Sequence, residues 1–395
     1  MNRNDRIVIV GGGPGGLSTA RAYREAGGRG RVILLTAESY PPYRRPPLTK
    51  EYLRGEIERD ELPMENPRWF EENNVELRLA TAAREIDRDR QVVTTENGEE
   101  VPYDACVLAT GSEPIRIPVP GADDPEILVM RTVENSERLK SRVGRGSRAV
   151  IVGSGFIGCE AAVSLSLRGA DVTLVSMEEG PQKTRLGEDA ARHITRWLEG
   201  YYGVDLHLGV RVEGIKRRDG GFELAVEGGE NVSTETVLFG TGVRPRTGLA
   251  EAAGLEIERG GVVTNSSMRT SAPDIFAVGD IVFAMNEAAG SRQKVEHWGD
   301  ALNHGWVAGT VLAGGEAAWR EAPGFWSTMG DKTLKYWAWS EGWDEAKFVE
   351  KDGTEGEAFT VWYGKEGLTV GVLAHNADED YEEGRGLIER GDPLP

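Results

Sequence analysis

The chain has 395 residues, 39% of them apolar, which exceeds the usual size of one hydrophobic core and predicts two or three domains. Lys and Arg number 46 against 65 Asp and Glu, and the net charge of −19 disfavours nucleic acids and anionic membranes as partners. The chain has no apolar run of about 18 residues, which predicts that it has no membrane span. Its first predicted strand leaves no room for a signal peptide, and its two cysteines leave no disulfide framework, so we expect a cytoplasmic protein.

The N-terminal segment predicts a dinucleotide-binding turn. Residues 7–10 form an apolar run typical of a buried parallel strand, and helix-forming residues follow at 17–24. Between them, Gly11, Gly13 and Gly16 have the G-x-G-x-x-G spacing. Glycines in this pattern allow the tight turn, the approach of a pyrophosphate and the close packing of helix on strand.

A carboxylate and a rigid loop follow the second predicted strand, residues 31–35. Glu38 follows the last glycine of the motif by about 20 residues, the spacing at which an acid contacts a ribose hydroxyl. The motif, its flanking strands and this acid together predict a dinucleotide site, and the alternative is a glycine-rich turn in an ordinary α/β sheet. Residues 40–50 contain four prolines, which hold this basic, aromatic segment extended. A helix predicted at 51–59 places Lys50 in or near its first turn, and a solvated surface loop is the alternative interpretation.

Residues 75–125 predict short strands and then a domain junction. The strands are expected at 75–79, 91–95 and 105–109. Asn97-Gly98 is a hairpin turn signal, and Thr110-Gly111 ends the third strand. Four prolines between positions 114 and 125 indicate a crossing between domains.

A second glycine motif repeats the first. Gly153, Gly155 and Gly158 have the same spacing and stand between a predicted strand at 148–152 and a predicted helix at 156–167. Two such motifs in one chain are far more specific than one. They predict two dinucleotide sites.

The acid that follows the next strand, residues 171–175, is displaced. Ser176 occupies the position where a glutamate would end the strand, and Glu178 and Glu179 follow. An acid there binds the ribose 2′-hydroxyl of NADH, whereas an arginine such as Arg185 would accommodate a 2′-phosphate. Glu178 therefore favours NADH, while Ser176 leaves NADPH open.

The chain between positions 204 and 312 predicts four more strands and a helix. The strands are expected at 204–208, 222–226, 236–239 and 274–278. Gly240-Thr241-Gly242 follows the third of them and Gly279-Asp280 the fourth. An acid at a strand's carboxyl end lies where α/β folds bind ligands, although a helix N-cap is the alternative. A helix is expected at 302–312, after Glu296-His297-Trp298.

Residues 322–395 change in character. They are rich in tryptophan and contain alternating strand-like segments such as 359–363, which predicts a small α+β domain. We expect most of the tryptophans to lie in its core. They are Trp326, Trp337, Trp339, Trp343 and Trp362.

These motifs make the chain similar to the FAD-dependent pyridine-nucleotide oxidoreductases. Within them it most resembles the oxygenase-coupled NADH:ferredoxin reductases and apoptosis-inducing factor, over nearly the whole chain. Besides the two glycine motifs, the resemblance depends on Arg45-Pro46-Pro47-Leu48-Thr49-Lys50, Ala109-Thr110-Gly111, Val278-Gly279-Asp280, Val295-Glu296-His297-Trp298 and Gly324-Phe325-Trp326-Ser327.

The resemblance implies an α/β fold with two Rossmann-like domains and a small C-terminal α+β domain. The FAD-binding domain would comprise residues 1–113 and 240–320, and the NAD(P)H-binding domain residues 114–239. The C-terminal domain would comprise residues 321–395. The protein would be a monomer or a homodimer.

The resemblance also implies the site residues. Lys50 and Glu160 would pair beside the flavin and act in catalysis, with a surface lysine and a helix-facing glutamate as the alternative. FAD would bind the first motif with Glu38, and NAD(P)H, with NADH favoured, the second motif with Glu178. The other residues implied to bind cofactors are Gly11, Gly13, Pro14, Gly15, Gly16, Arg45, Thr110, Gly111, Gly153, Gly155, Phe156, Ile157, Gly158, Gly242, Gly279, Asp280, Glu296, His297, Trp298 and Trp326.

The cysteines and histidines separate branches of this family. Disulfide reductases need a cysteine pair beside the flavin, and the related oxidases and peroxidases need one redox cysteine where this chain has residues 44–50. Cys106 lies in a predicted buried strand, and Cys159 lies in the first turn of the second motif's helix, where a redox role is the disfavoured alternative. The five histidines show no metal-ligand spacing, so no metal site is expected.

The favoured function is electron transfer from NADH through FAD to a small iron–sulfur carrier of the ferredoxin or rubredoxin type. Ferredoxins are usually acidic, so the net charge of −19 requires a local basic patch, for which Arg44, Arg45 and Lys50 are the candidates. The alternatives are an NAD(P)H:quinone or oxygen reductase and an NADH-responsive, redox-sensing flavoprotein.

Overall fold

The computed structural model describes residues 5–351 and 357–395. Its strands, numbered in chain order, are β1 Ile7–Val10, β2 Val32–Leu35, β3 Val75–Arg78, β4 Ala83–Asp87, β5 Val92–Thr95, β6 Glu100–Pro102, β7 Ala105–Leu108, β8 Ser112–Pro114, β9 Leu128–Val129, β10 Arg148–Val152, β11 Asp171–Ser176, β12 Asp205–Leu208, β13 Val212–Arg218, β14 Gly221–Val226, β15 Val232–Thr234, β16 Thr236–Phe239, β17 Val243–Pro245, β18 Ile257–Glu258, β19 Gly261–Thr264, β20 Ile275–Ala277, β21 Val282–Asn286, β22 Ser291–Lys294, β23 Gly324–Met329, β24 Lys332–Ala338, β25 Glu345–Glu350, β26 Phe359–Lys365 and β27 Leu368–His375. Its helices are α1 Pro14–Glu25, α2 Glu51–Arg54, α3 Pro67–Glu72, α4 Val133–Arg142, α5 Phe156–Leu167, α6 Lys183–Arg196, α7 Gly248–Ala252, α8 Trp298–Leu312 and α9 Asp378–Arg390. None of the described helices is both long and apolar enough to cross a bilayer.

The first of the larger sheets is parallel and has the strand order β20-β7-β1-β2-β3. All four residues of β1 are buried, as expected for a parallel strand covered on both faces. Helices α1 and α8 pack side by side on this sheet, and Gly305 and Gly309 make the contact close. A Cβ atom at Gly305 would lie 2.3 Å from the carbonyl oxygen of Gly15, and one at Gly309 would lie 2.4 Å from that of Thr19.

The second large sheet repeats this arrangement. It is parallel, with the order β12-β11-β10-β16-β9, and α5 connects β10 to β11. Residues 158–165 of α5 are all buried, because neighbouring elements cover every face of this helix. The helix is almost wholly apolar, so its buried carboxylate, Glu160, needs a specific partner.

The C-terminal sheet is antiparallel, has the order β23-β24-β27-β26-β25 and packs against α9, which confirms the predicted α+β unit. The expected alternation at 359–363 is wrong. All five residues are buried because one face of β26 packs on the central core and the other faces a second apolar cluster beneath α9. The expectation for the tryptophans holds for four of the five: Trp362 is buried, and Trp337, Trp339 and Trp343 are partly buried against apolar clusters, whereas Trp326 is 48% exposed.

Smaller elements differ from the predictions in two places. The helix expected at 51–59 is α2, which ends at Arg54 because Gly55 adopts a left-handed conformation with φ of 80°. The helix expected at 302–312 begins earlier, at Trp298. The hairpin at Asn97-Gly98 is confirmed, since β5 and β6 pair in antiparallel fashion around it. The domain limits remain predictions.

Candidate active site

A single cavity of about 1590 Å³ extends from the glycine turn of the first sheet to that of the second. It exceeds the roughly 300–1,000 Å³ of a typical small-ligand pocket and has room for two extended cofactors. The predicted site residues that line it are Gly11, Gly13, Pro14, Gly15, Glu38, Arg45, Lys50, Thr110, Gly111, Gly155, Phe156, Ile157, Glu160, Glu178, Gly242, Gly279, Asp280, Glu296, His297, Trp298 and Trp326.

Three predicted cofactor-binding glycines, Gly16, Gly153 and Gly158, lie behind the cavity wall rather than on it. A Cβ atom at Gly16 would lie 2.1 Å from the carbonyl oxygen of Gly11, and one at Gly158 would lie 2.1 Å from that of Gly153. These glycines therefore let each helix start close to its strand. Gly13, by contrast, has no described atom within 4 Å of a Cβ position and faces the cavity.

Charged residues converge at the first glycine turn. Glu38 accepts hydrogen bonds from Arg45 and from the Tyr43 hydroxyl, both at 2.5 Å. Arg45 also donates to the carbonyl oxygen of Arg131 at 2.7 Å, and Arg131 pairs with Asp280 at 2.9 Å. The predicted carboxylates at the two ends of this part of the cavity are thus joined through arginines.

Lys50 and Glu160 form the predicted ion pair at 2.8 Å, with side chains only 7% and 4% exposed. Lys50 also donates to the carbonyl oxygen of Pro46 at 3.0 Å. The Glu160 carboxylate accepts from the hydroxyls of Thr49 at 2.5 Å and Ser327 at 2.8 Å. A buried ion pair is tolerated when further hydrogen bonds satisfy its charged groups, and this pair joins the proline loop, α5 and β23.

Aromatic side chains lie beside this pair. The rings of His297 and Phe325 are 4.7 Å apart, and those of Phe156 and Phe325 are 4.6 Å apart. Burial and the positive charge of Arg185 lower the pKa of His297 to about 4, so its imidazole is neutral near pH 7. Arg185 also lines the cavity and lies over the Phe156 ring, 6.0 Å from its centre.

Glu178 is the carboxylate that the second sheet offers to the cavity. Its Oε2 atom is buried without a hydrogen-bond partner among the described residues. Ser176, which replaces the strand-end acid, is turned inward: its hydroxyl lies 2.7 Å from that of Ser154 and accepts the Glu178 N–H at 3.1 Å. An unpartnered carboxylate facing a cavity is suited to bind a hydroxyl of a ligand.

The cysteines do not contribute to the cavity. Cys106 and Cys159 are free and buried, neither is a described lining residue, and burial raises the pKa of both thiols. Both are inert in this setting, because the thiolate is the reactive form. No cluster of three or more potential metal ligands occurs among residues 5–351 and 357–395.

The expected basic patch is wrong. Lys50 is buried against Glu160, Arg45 is paired with Glu38, and only Arg44 is exposed. Arg45 and Lys50 both line the cavity, where each meets an acid. The segment therefore supplies no cluster of free positive charge to the surface.

Several lining residues were not predicted from the sequence. Ser112 donates to Asp280 at 2.7 Å, and Gln182 donates to the carbonyl oxygen of Ser154 at 3.2 Å. Neither residue belongs to a recognisable pattern. The Trp339 and Trp343 side chains also line the cavity, and Trp343 donates to the carbonyl oxygen of Arg185 at 3.0 Å.

His304 lies beneath the cavity floor and predicts a pH dependence of stability. Its Nδ1 accepts the Gly279 N–H at 3.3 Å, its Nε2 has no partner among the described residues, and burial lowers its pKa to about 3. The unfolded state binds a proton below the ordinary pKa of about 6.5. The free energy of unfolding should therefore fall by about 1.4 kcal/mol per pH unit between pH 6.5 and 4 because of this residue.

Denaturant unfolding between pH 7 and 4.5 measures this contribution. His304→Gln should make the decline with falling pH shallower than in wild type. Identical slopes in wild type and His304→Gln would show that the buried imidazole does not control acid stability.

Comparisons with known proteins agree with this geometry. The pyridine nucleotide-disulphide oxidoreductase family model matches residues 5–305, and the reductase C-terminal model matches residues 324–395. The chain is 32% identical over 331 residues to a rubredoxin-NAD(+) reductase of Pseudomonas putida, covering 83% of this chain and 85% of that one. It is 31% identical over 396 residues to a probable ferredoxin reductase of Castellaniella defragrans, covering 99% and 95%. A chain of the covalent putidaredoxin reductase–putidaredoxin complex superimposes with a TM-score of 0.92 and 28% identity, covering 99% of this chain and 94% of that one.

Proposed function

This chain belongs to the pyridine nucleotide-disulphide oxidoreductase family, and on that premise we propose that it passes electrons from NADH, through FAD, to a small iron–sulfur or rubredoxin-type carrier. The observation that carries the proposal is the buried Lys50–Glu160 pair in one cavity that two glycine motifs share. The relatives named as rubredoxin and ferredoxin reductases support the choice of acceptor.

The residues present fit the two cofactors. The first glycine turn offers a wall without side chains to a pyrophosphate, and Glu38 and Asp280 offer carboxylates to hydroxyl groups of FAD. The second turn, with Gly155, would hold the pyrophosphate of NADH, and the unpartnered Glu178 oxygen would accept from its ribose. The cavity therefore holds one set of donors and acceptors for each dinucleotide.

Bound FAD would supply the conversion of a two-electron hydride from NADH into electrons released one at a time. Lys50 would place positive charge on the cavity wall, and Glu160 would fix the position of that charge. Phe156 and Phe325 would restrict water and align the flat rings. Because neither cysteine lines the cavity, electrons would leave to an external acceptor rather than to an internal disulfide.

The proposal is tested by mixing NADH-reduced protein anaerobically with an oxidised rubredoxin or [2Fe–2S] ferredoxin and following carrier reduction. Reduction of a carrier much faster than the reaction with a soluble quinone or oxygen is the expected result. Faster reaction with quinone would favour a quinone reductase. Reduced protein that transfers electrons to none of these acceptors would favour an NADH-responsive sensor.

Glu178 should set a preference for NADH over NADPH. Glu178→Gln is expected to lower kcat/KM for NADH by about tenfold, because a hydrogen bond to a charged acceptor is lost, and to leave the value for NADPH unchanged or raised. Glu179→Gln is the matched control, since Glu179 is exposed and paired with Lys183. Steady-state rates with each nucleotide measure the ratio, and equal losses for both nucleotides would contradict the assignment.

A further inference from the structure

We propose that this chain binds its electron carrier through an exposed apolar ridge rather than a basic patch, so that the carrier presents a weakly charged, apolar contact face. The inference rests on the proposed function and specifies its partner. The ridge consists of the exposed Gly299 and Trp306 and the half-buried Leu302 of α8, together with the exposed Trp326 of β23, and is called the tryptophan ridge below.

The α8 part of the ridge follows from helical spacing. Gly299, Leu302 and Trp306 stand at i, i+3 and i+7 and therefore share one face of the helix. Trp306 is 49% exposed, whereas the neighbouring Gly305 and Gly309 pack against α1. Packing of the fold does not account for a large aromatic ring on the solvent side of α8.

The ridge continues to the cavity mouth. Gly299 lines the cavity, and a Cβ atom at this position would lie 3.7 Å from the carbonyl oxygen of Gly324. Asn303 donates to the Glu321 carboxylate at 2.8 Å, so α8 runs beside the chain that enters β23. Trp326 lines the cavity and is 48% exposed.

The ridge has the dimensions of a carrier footprint. It begins where the proposed flavin site opens and extends about 10 Å along α8 to Trp306. A standard interface buries about 800 Å² on each partner, and transient redox encounters bury less. A small carrier seated on the ridge would therefore have its metal centre near the cavity mouth.

The basic side chains of the elements that carry the ridge, and of the segments next to them, are already neutralised. Lys335 pairs with Asp378 at 2.7 Å, and Arg320 pairs with Glu287 at 2.7 Å. Each described basic side chain of α8, β23, β24, α9 and residues 313–323 has an acidic partner. These basic residues are Arg320, Lys332, Lys335, Arg385 and Arg390.

The acids of α9 add a surplus of negative charge. Besides its paired acids Asp378, Asp380 and Glu389, this helix carries Glu379, Glu382 and Glu383. With a net charge of −19 over the whole chain, a strongly acidic carrier would be repelled at this face. Exposed tryptophans, by contrast, are frequent anchors of interfaces, and their contacts are not screened by salt.

The test measures kcat/KM for NADH-driven reduction of three carriers: a rubredoxin, a strongly acidic [2Fe–2S] ferredoxin and a [2Fe–2S] ferredoxin with an uncharged face around its cluster. We expect the uncharged ferredoxin to be the best substrate, with a change below about threefold between about 50 and 300 mM NaCl. A preference for the acidic ferredoxin, with a tenfold or greater fall over the same range, would overturn the inference.

A variant tests the ridge itself. Trp306→Ala should raise KM for the preferred carrier by at least about tenfold, while NADH reduction of ferricyanide stays at the wild-type rate. Leu167→Ala is the matched control, because Leu167 is 53% exposed at the far end of α5. If Trp306→Ala reduces the carrier with the same kinetics as wild type, the proposal that the carrier binds at the tryptophan ridge is wrong. Ferricyanide reduction without reduction of any carrier would overturn the proposed function and the inference with it.

Discussion

Replacing Lys50 with methionine is expected to slow the reduction of bound flavin by NADH by about 100-fold while FAD stays bound. Methionine is a flexible, apolar residue that removes the ammonium group from the cavity wall. The charge would be lost where negative charge develops on the proposed flavin, at a buried position of the cavity wall. Anaerobic stopped-flow absorbance at the flavin band measures the rate. Reduction by Lys50→Met at the wild-type rate would exclude Lys50 from the chemistry.

Glu160, the partner of Lys50, is expected to contribute to the stability of the folded protein. Glu160→Leu leaves the Lys50 ammonium buried without its carboxylate, which is expected to lower the free energy of unfolding by about 3–5 kcal/mol. The hydroxyls of Thr49 and Ser327 lose their acceptor in the same variant. Glu100→Gln breaks the exposed Arg90–Glu100 pair and should cause no measurable change. Equal effects of the two substitutions in urea unfolding would contradict a buried, specifically bonded pair.

Gly158→Ala is expected to impair productive NADH binding and to leave FAD in place. The new Cβ atom would lie 2.1 Å from the carbonyl oxygen of Gly153, so α5 must move away from β10 and displace the helix N-terminus that would hold the pyrophosphate. We expect kcat/KM for NADH to fall by about 100-fold, because a shift of this kind misplaces the bound nucleotide. The FAD content, from absorbance of the purified protein, should stay at the wild-type value.

Gly200→Ala provides the matched control for this substitution. A Cβ atom there would have only the Arg196 Cγ, at 3.9 Å, as a described neighbour within 4 Å. Gly200 lies in the π-helical turn Trp197–Tyr201 that follows α6. Alanine is favoured over glycine in helical segments by up to about 1 kcal/mol, so this variant should be as stable as wild type or more so. Retention of normal NADH kinetics by Gly158→Ala would show that the helix does not need this close approach.

The parts of the fold that depend on local pattern could be predicted from the sequence. The apolar runs around Gly11 and Gly153 correspond to β1 and β10, and the predicted helix at 156–167 has the bounds of α5. These elements are recognisable in the sequence because the tight turn requires glycine and the buried strand requires apolar residues. The Lys50–Glu160 contact joins positions 110 residues apart, and it was predicted only through the family resemblance.

The parts that depend on tertiary contacts could not be predicted. The charges of Arg45 and Lys50 suggested a basic surface, but both side chains turn inward to acids contributed by distant segments. The tryptophan content of residues 322–395 indicated core positions, yet Trp326 is 48% exposed at the surface of β23. Exposure of a residue depends on what covers its element, and a single sequence does not contain that information.

The most direct test of the central claim is anaerobic stopped-flow reduction of the purified, FAD-containing protein by NADH and by NADPH, followed at the flavin absorbance. We expect rapid bleaching by NADH and slower bleaching by NADPH, as the unpartnered Glu178 carboxylate and the Lys50–Glu160 pair predict. Purified protein without flavin, or flavin that neither nucleotide reduces within seconds, would contradict the proposed reductase activity.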